Sequence, residues 1–283
     1  MINVNFINKE IKIKGLKRSY RILHITDAHI IHWSDADLDT VISYGVHTGK
    51  PLISRFAERR IPVFTKDGVE TKAMFVSLCD FLKDNPTFVD AVVFTGDVLD
   101  FYTDAACELV KENLKKLPIP YIFTMGNHDS IFSNHTESEI KEIFDELCGG
   151  DSEIQKLKLG ELTLIGSDNN HYRYADSTVE KIERAISGEE NIILCQHVPL
   201  HSDSLAKAYK ESGHQNLAIG NNPEKEDGYG KIMKIITAED SPVKALLSGD
   251  SHIDFSGPLT ENVTQHISPV LTGGSVVVFT IKE

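Results

Sequence analysis

Five short apolar runs constrain this chain most, because each has strand character and each ends abruptly in polar residues of metal-ligand type. Arg21-Ile22-Leu23-His24-Ile25-Thr26 leads into Asp27-Ala28-His29, and Ala91-Val92-Val93-Phe94-Thr95 into Gly96-Asp97. Tyr121-Ile122-Phe123-Thr124-Met125 leads into Gly126-Asn127-His128-Asp129. Asn191-Ile192-Ile193-Leu194-Cys195-Gln196 leads into His197, and Val243-Lys244-Ala245-Leu246-Leu247-Ser248 into Gly249-Asp250-Ser251-His252. Continuous apolar runs of this length suit strands covered on both faces. In α/β sheets, ligands collect beyond the carboxyl ends of the strands, so all five polar clusters can converge on one site.

The segments between the runs are helical in pattern. Met74, Phe75, Leu78, Phe81 and Leu82 recur at helical spacing near residues 70–84, as do Ala105, Leu109 and Leu114 near 104–116. Thr136 and Glu139 form a capping-box pair ahead of Ile140, Ile143, Phe144 and Leu147, and Gly149 ends that helix. Strand–helix alternation implies an α/β architecture. From Val243 to Ile281 the pattern changes to short β runs, which read as an antiparallel meander. The runs Ile2–Phe6 and Glu10–Lys14 read as a hairpin. Residues 30–70 make a long connection of the kind that often serves as a lid or binding element.

Composition narrows the function classes. The chain has 283 residues, and its 29 Lys+Arg against 42 Asp+Glu leave a net charge of −13. Its hydrophobic share of 41% excludes a disordered chain. No apolar stretch reaches the roughly 18 residues needed to cross a bilayer. The acidic balance argues against nucleic acid as a partner, since phosphate backbones are held by Lys and Arg. A phosphate-handling enzyme remains open, because bound cations invert the local charge. Met1–Phe6 lacks a basic region followed by a long apolar core, so no secretory signal is read. Cys79, Cys107, Cys148 and Cys195 form no CxxC pair, which points to reduced thiols in the cytoplasm.

Mixed imidazole and carboxylate donors suit Zn, Mn, Fe or Co better than Ca or Mg alone. Asp27 and His29 stand two apart, so on an extended stub they share a side, and Asp250 and His252 repeat that spacing. With Asp97, Asn127 and His197 these donors suffice for two metals at about three or four ligands each. Singly such signals are weak, but Gly-Asn-His-Asp should occur in only about one chain of this length in a thousand.

The ordered set resembles the calcineurin-like metallophosphoesterases, whose pattern is D-x-H, GD-x-x-D, GNH[DE], a lone His often followed by x-P, and GHxH. Here it reads Asp27-Ala28-His29, Gly96-Asp97-Val98-Leu99-Asp100, Gly126-Asn127-His128-Asp129, His197-Val198-Pro199 and Gly249-Asp250-Ser251-His252. The resemblance implies a single domain over residues 1–283, with a long inserted helical or loop segment at about 30–70. It implies an α/β (α+β) fold, a four-layer αββα sandwich of two mixed sheets flanked by helices. It implies a metal-dependent phosphomonoesterase or phosphodiesterase with two divalent or trivalent ions, Mn, Fe or Zn, and a metal-bridging hydroxide. Carried over, Asp27, His29 and His252 hold the first metal, Asp97 bridges, and Asn127 and His197 hold the second. His128 then contacts the phosphoryl group or protonates the leaving oxygen, and Asp129 orients it. Asp250 stands where the family usually has a histidine. It ligates the second metal, binds it through water, or has lost the role. The implied substrate is a small or nucleotide-like phosphoester. The alternatives are a non-catalytic scaffold with the same fold and a nuclease of the same family.

Other residues are weighed on position alone. His24 lies within its strand and reads as a structural histidine, and Asp100 as a support for the loop. His32 and Trp33 line a pocket or sit on an exposed loop. Arg55, Arg59 and Arg60 reach a phosphate or form a solvated helix face. His201, Asn169, Asn170 and His171 are candidates to border the cleft. Ser212–Tyr229 is polar and Gly/Asn-rich and reads as a rim loop.

Overall fold

The computed structural model describes residues 4–43, 45–46, 50–51, 54, 65–131, 135–220 and 228–283. Its strands are β1 (Asn5–Lys12), β2 (Tyr20–Ile25), β3 (Gly45–Val46), β4 (Lys50–Pro51), β5 (Thr65–Lys66), β6 (Val69–Glu70), β7 (Ala91–Thr95) and β8 (Tyr121–Thr124). They continue with β9 (Ile154–Leu159), β10 (Leu162–Ser167), β11 (Ile192–Cys195), β12 (Val243–Ser248), β13 (Phe255–Pro258), β14 (Thr264–Ile267) and β15 (Ser275–Lys282). Two mixed sheets dominate, in the orders β1-β15-β2-β7-β8 and β13-β14-β12-β11-β10-β9. β3 with β4 and β5 with β6 form two small ribbons.

Alternation along each strand builds the layers. In β7, Val92 and Phe94 join Leu23, Ile25, Phe123, Val276 and Val278 against the helices Thr71–Asp84, Asp104–Leu114 and Glu137–Cys148. The intervening Val93 turns the other way. It packs with Ile22, Ile122, Leu164, Ile193, Leu247 and Phe279 between the two sheets. Beyond the second sheet, Ile165, Ile192, Leu194 and Leu246 meet Val179 and Ile182 of the helix Asp176–Ile186, and Ile232 and Ile236 of the helix Tyr229–Thr237. The result is a helix–sheet–sheet–helix sandwich.

Three local features follow from identifiable chemistry. The Thr136–Glu139 capping box forms as expected: Glu139 N donates to Thr136 Oγ1 at 3.3 Å and Thr136 N to Glu139 Oε2 at 2.8 Å. Gly149 ends that helix at φ 68°, a conformation available to glycine at little cost. The helix Asp203–Ser212 is capped by Ser202 and places Leu205 and Tyr209 against Ile253, Phe255 and Ile267.

Two expectations fail. Residues 5–12 form one strand rather than part of a hairpin, and β1 runs parallel to β15 through eight register pairs from Asn5–Ser275 to Lys12–Lys282. Residues 243–281 are not a meander: β12 and β14 are parallel, β13 and β14 antiparallel, and β15 leaves for the other sheet, between β1 and β2. The continuous apolar run Val276–Phe279 of β15 suits a strand covered on both faces in either sheet, so only the packing of both layers decides its place. Of the long connection at 30–70, the helix Leu38–Ser43 and the ribbons are described. Arg55, Arg59 and Arg60 lie outside the described residues, as does part of the expected rim loop.

Candidate metal centre

β2, β7 and β8 are mutually parallel in one sheet, and β10, β11 and β12 in the other, so their carboxyl ends share one rim. The polar residues that follow them meet there. Backbone bonds stitch the strand ends together: Asp27 N to Gly96 O (3.1 Å), His29 N to Asp97 O (2.9 Å) and Gly249 N to His197 O (2.9 Å). Asp250 N adds a bond to Asp27 Oδ2 at 3.1 Å.

The backbone is strained at these positions. Asp27, His29, Asp97, Asp250 and His252 have φ between 44° and 61°, in the left-handed region that costs an L-residue roughly 1–2 kcal/mol. Such strain persists where surrounding structure over-determines it, and it clusters at functional sites. Gly96, at φ 82°, lets the turn before Asp97 pass close to its neighbours, because a Cβ there would lie 2.6 Å from both Gly126 N and His197 Nδ1.

The donor atoms fall into two sets. In the first, His252 Nε2 lies 3.1 Å from Asp27 Oδ1 and 3.3 Å from His29 Nε2, and His29 Nε2 lies 3.7 Å from Asp97 Oδ2. In the second, His197 Nε2 lies 3.1 Å from Asn127 Oδ1, 3.3 Å from Asp97 Oδ1 and 3.5 Å from Asp250 Oδ1. Metal–ligand bonds of about 2.0–2.2 Å imply neighbouring donors roughly 3.0–3.6 Å apart; the second set lies within that range, and the first reaches 3.7 Å, just beyond it. Asp97 turns one carboxylate oxygen to each set. Asp250 Oδ2 is buried and accepts no hydrogen bond, a further sign of a donor set suited to a cation.

The imidazoles are held in the tautomer that such binding needs. His197 Nδ1 donates to Thr95 O at 2.7 Å, which leaves Nε2 free to act as a donor of electrons. His29 Nδ1 lies 3.2 Å from Asp100 Oδ1, which turns its Nε2 toward the site in the same way. Burial alone would raise the carboxyls of Asp27 and Asp97 and depress the imidazoles of His197 and His252. The opposite charges beside them outweigh burial, so the carboxyls lie below their usual range and the imidazoles above theirs. A bound cation would take the place of the protons on these imidazoles, so metal binding would release protons.

The His128 imidazole stands at the edge of the first donor set, in edge-to-face contact with His29 at 4.6 Å between ring centroids. Its Nδ1 donates to Asp100 O at 2.9 Å and lies 3.3 Å from Asp100 Oδ1. Burial would lower its pKa, but the carboxylates of Asp97 and Asp100 raise it to about 9. Asp129 is the residue expected from the resemblance to orient His128. Its carboxylate accepts backbone N–H bonds from Leu99 and Gly126, both at 2.8 Å, and so clamps one loop to the other. Asp100 is the residue that the His128 imidazole bonds, through the main-chain carbonyl with the carboxylate close beside it.

The remaining candidates sort themselves. His24 is fully buried and bonds Ser268 Oγ at 2.6 Å and Thr95 Oγ1 at 2.7 Å, a structural histidine as expected. His32 is tied by its carbonyl to Thr103 Oγ1 and lies 3.4 Å from Lys72 Nζ. Trp33 is half-buried. His201 N donates to Ile219 O at 2.7 Å. Asn170 and His171 line a cleft with Ser130, Lys141 and Arg173. Asn169 is buried and clamps Val198, accepting from its N–H at 3.0 Å and donating to its carbonyl at 2.8 Å. Tyr172 was missed. Its hydroxyl donates to Asp250 Oδ1 at 2.8 Å, and it too has a positive φ, of 58°. Its only signal in the sequence is its place after the carboxyl end of an apolar strand.

Comparison with known proteins agrees with this geometry. The family model described as calcineurin-like phosphoesterase matches residues 20–254. A probable glycerophosphodiester phosphodiesterase, GpdQ, from Arcobacter nitrofigilis is 38% identical over 65 residues, which is 23% of this chain and 23% of that protein. A dimetal phosphatase from Danio rerio superposes with a TM-score of 0.53 at 8% identity, covering 90% of this chain and 88% of its own. The purple acid phosphatase PPD1 from yellow lupin (Lupinus luteus) also gives 0.53, at 13% identity, covering 92% of this chain and 45% of its own. At these identities the two structures speak to the fold alone. Ordered motifs, a two-sheet sandwich and a matching family model over most of the chain lead to one conclusion: the chain belongs to the calcineurin-like phosphoesterase family.

Proposed function

We propose that this protein hydrolyses a small phosphoester at a dinuclear metal centre. One observation carries the reading: the two carboxylate oxygens of Asp97 face separate donor sets, 3.7 Å from His29 Nε2 and 3.3 Å from His197 Nε2. Asp27, His29 and His252 would hold one ion, Asn127, His197 and Asp250 the other, and Asp97 both. Two bound cations would supply a water of lowered pKa and offset charge on the phosphoryl oxygens. The other roles belong to the chain itself. Asp100 fixes His128 at Nδ1, so Nε2 is the atom presented to substrate, as a hydrogen-bond donor to the phosphoryl group or a proton source for the leaving oxygen. Asp129 holds the loops of Asp97 and His128 in register through backbone N–H groups. The sharing of Asp97 between the sets makes the geometry intolerant of small shifts, which accounts for the rigid stitching of the strand ends.

The short match to a glycerophosphodiester phosphodiesterase makes a phosphodiester the first substrate class to assay. Among the described residues no helix is long and apolar enough to cross a membrane. Four free cysteines, three of them buried, support the cytoplasm as the compartment. The test is hydrolysis of a generic phosphodiester and a generic phosphomonoester with Mn, Fe, Zn or Mg supplied separately, alongside elemental analysis. Turnover that requires added transition metal, with two ions per chain, is expected. Inactivity on both substrates with every metal would leave the non-catalytic scaffold as the better reading.

A further inference from the structure

Resting on the dinuclear reading, we infer that Tyr172 is a positioning residue for the second metal: its hydroxyl holds the Asp250 carboxylate in the orientation that completes the donor set around His197. At position 250 the chain carries a carboxylate where the family pattern has an imidazole. The two ligands make different demands. A histidine has a stiff planar ring that needs an acceptor for its second nitrogen. An aspartate has two oxygens on a short rotor and needs a donor to select one rotamer. Tyr172 Oη provides that donor, 2.8 Å from Asp250 Oδ1, the same oxygen that stands 3.5 Å from His197 Nε2. The bond also draws off part of the carboxylate's charge, which offsets the extra negative charge brought in by the aspartate.

The surroundings of Tyr172 indicate a placed side chain. An aromatic residue at φ 58° is a conformational outlier, and among the described non-glycine residues all but Asp67 with positive φ are Tyr172 itself or members of the donor sets. Tyr172 N donates to Asn169 O at 3.0 Å, which closes a tight turn just after β10. The Asn169 side chain then grips both the N–H and the carbonyl of Val198, the neighbour of His197. Tyr174, two residues on, bonds Gln196 on the other side of His197. The turn that carries Tyr172 is therefore anchored to the strand end that carries His197. This coupling sets the distance between the His197 imidazole and the Asp250 carboxylate.

The test measures metal occupancy as well as turnover. Full-length protein and the Tyr172→Phe variant, each prepared with Mn²⁺, are dialysed against graded Mn²⁺, and ions per chain are counted. Loss of one partner hydrogen bond to a metal ligand typically weakens binding about 10–100-fold. The expected result is that Tyr172→Phe loses one ion per chain at concentrations where the wild type keeps two, with the other site unchanged and turnover restored by excess Mn²⁺. In an Asp250→His background, where no phenol donor is needed, the same substitution should shift occupancy less than threefold. Wild-type and Tyr172→Phe occupancy curves that superpose overturn the inference and leave the dinuclear reading standing. A wild type that takes up only one ion overturns both.

Discussion

His24 offers a quantitative test of how the floor of the site is built. It lies fully buried between the sheets, three residues before Asp27, and joins β2 to Thr95 on β7 and to Ser268 after β14. A neutral imidazole with one donor and one acceptor satisfies two hydroxyls, and burial pushes its pKa down to about 3. Asp27 opposes that shift, while His266 and Lys9 add to it. In the unfolded chain the group titrates near an ordinary value of about 6.5. Below that value the unfolded state binds a proton that the folded state refuses, so His24 makes stability rise with pH between about 3 and 6.5. At pH 5 the loss relative to pH 7.5 is about 2 kcal/mol, from about 1.36 kcal/mol per unit over about 1.5 units. His24→Gln keeps a donor and an acceptor but cannot titrate. It should cost about 1–3 kcal/mol at pH 7.5 through misaligned hydrogen bonds, and its deficit should shrink by about 2 kcal/mol at pH 5. Urea unfolding of both proteins at the two pH values, in excess chelator, measures the difference; contributions from the metal ligands are common to both and cancel. An equal deficit at pH 5 and pH 7.5 would refute a neutral His24.

Asp97→Asn should abolish turnover and lower the metal content of the purified protein, since an amide has one good metal donor where a carboxylate has two; activity within tenfold of wild type would sink the shared role. Gly96→Ala forces a Cβ against Gly126 N and His197 Nδ1 at a left-handed φ, and should cost about 2–4 kcal/mol in denaturant unfolding; a change below 0.5 kcal/mol would mean the loops yield easily. Thr136→Ala removes the cap of the helix Glu137–Cys148, at about 1 kcal/mol and about 2 °C in thermal midpoint, with turnover unchanged; lost turnover would tie this helix to the site.

The legibility of this protein differed from element to element. The five runs that build the site were plain because strands covered on both faces must be continuously apolar, and because chemistry-bearing residues sit just past their ends. β1 was not plain. It lies at a sheet edge, where a mostly polar strand is tolerated, and Ile7, Asn8 and Lys9 read as the link between two shorter strands. The pairing of β1 with β15 joins residues some 270 positions apart, and no local pattern encodes it. Among site residues, Asp27, His29, Asp97, Asn127, His128, His197, Asp250 and His252 stand in short motifs. The orienting part of Asp100, the loop-clamping part of Asp129 and the whole of Tyr172 do not, because each acts through a contact with a residue distant in the chain.

The sequence by itself determined the order of strands that end in donor atoms and the chemical type of those donors, since periodicity and residue identity are local properties. Tertiary structure alone decided which oxygen or nitrogen of each donor faces which neighbour. That depends on backbone turns of positive φ and on hydrogen bonds between strand ends, and these exist only once the two sheets have packed together.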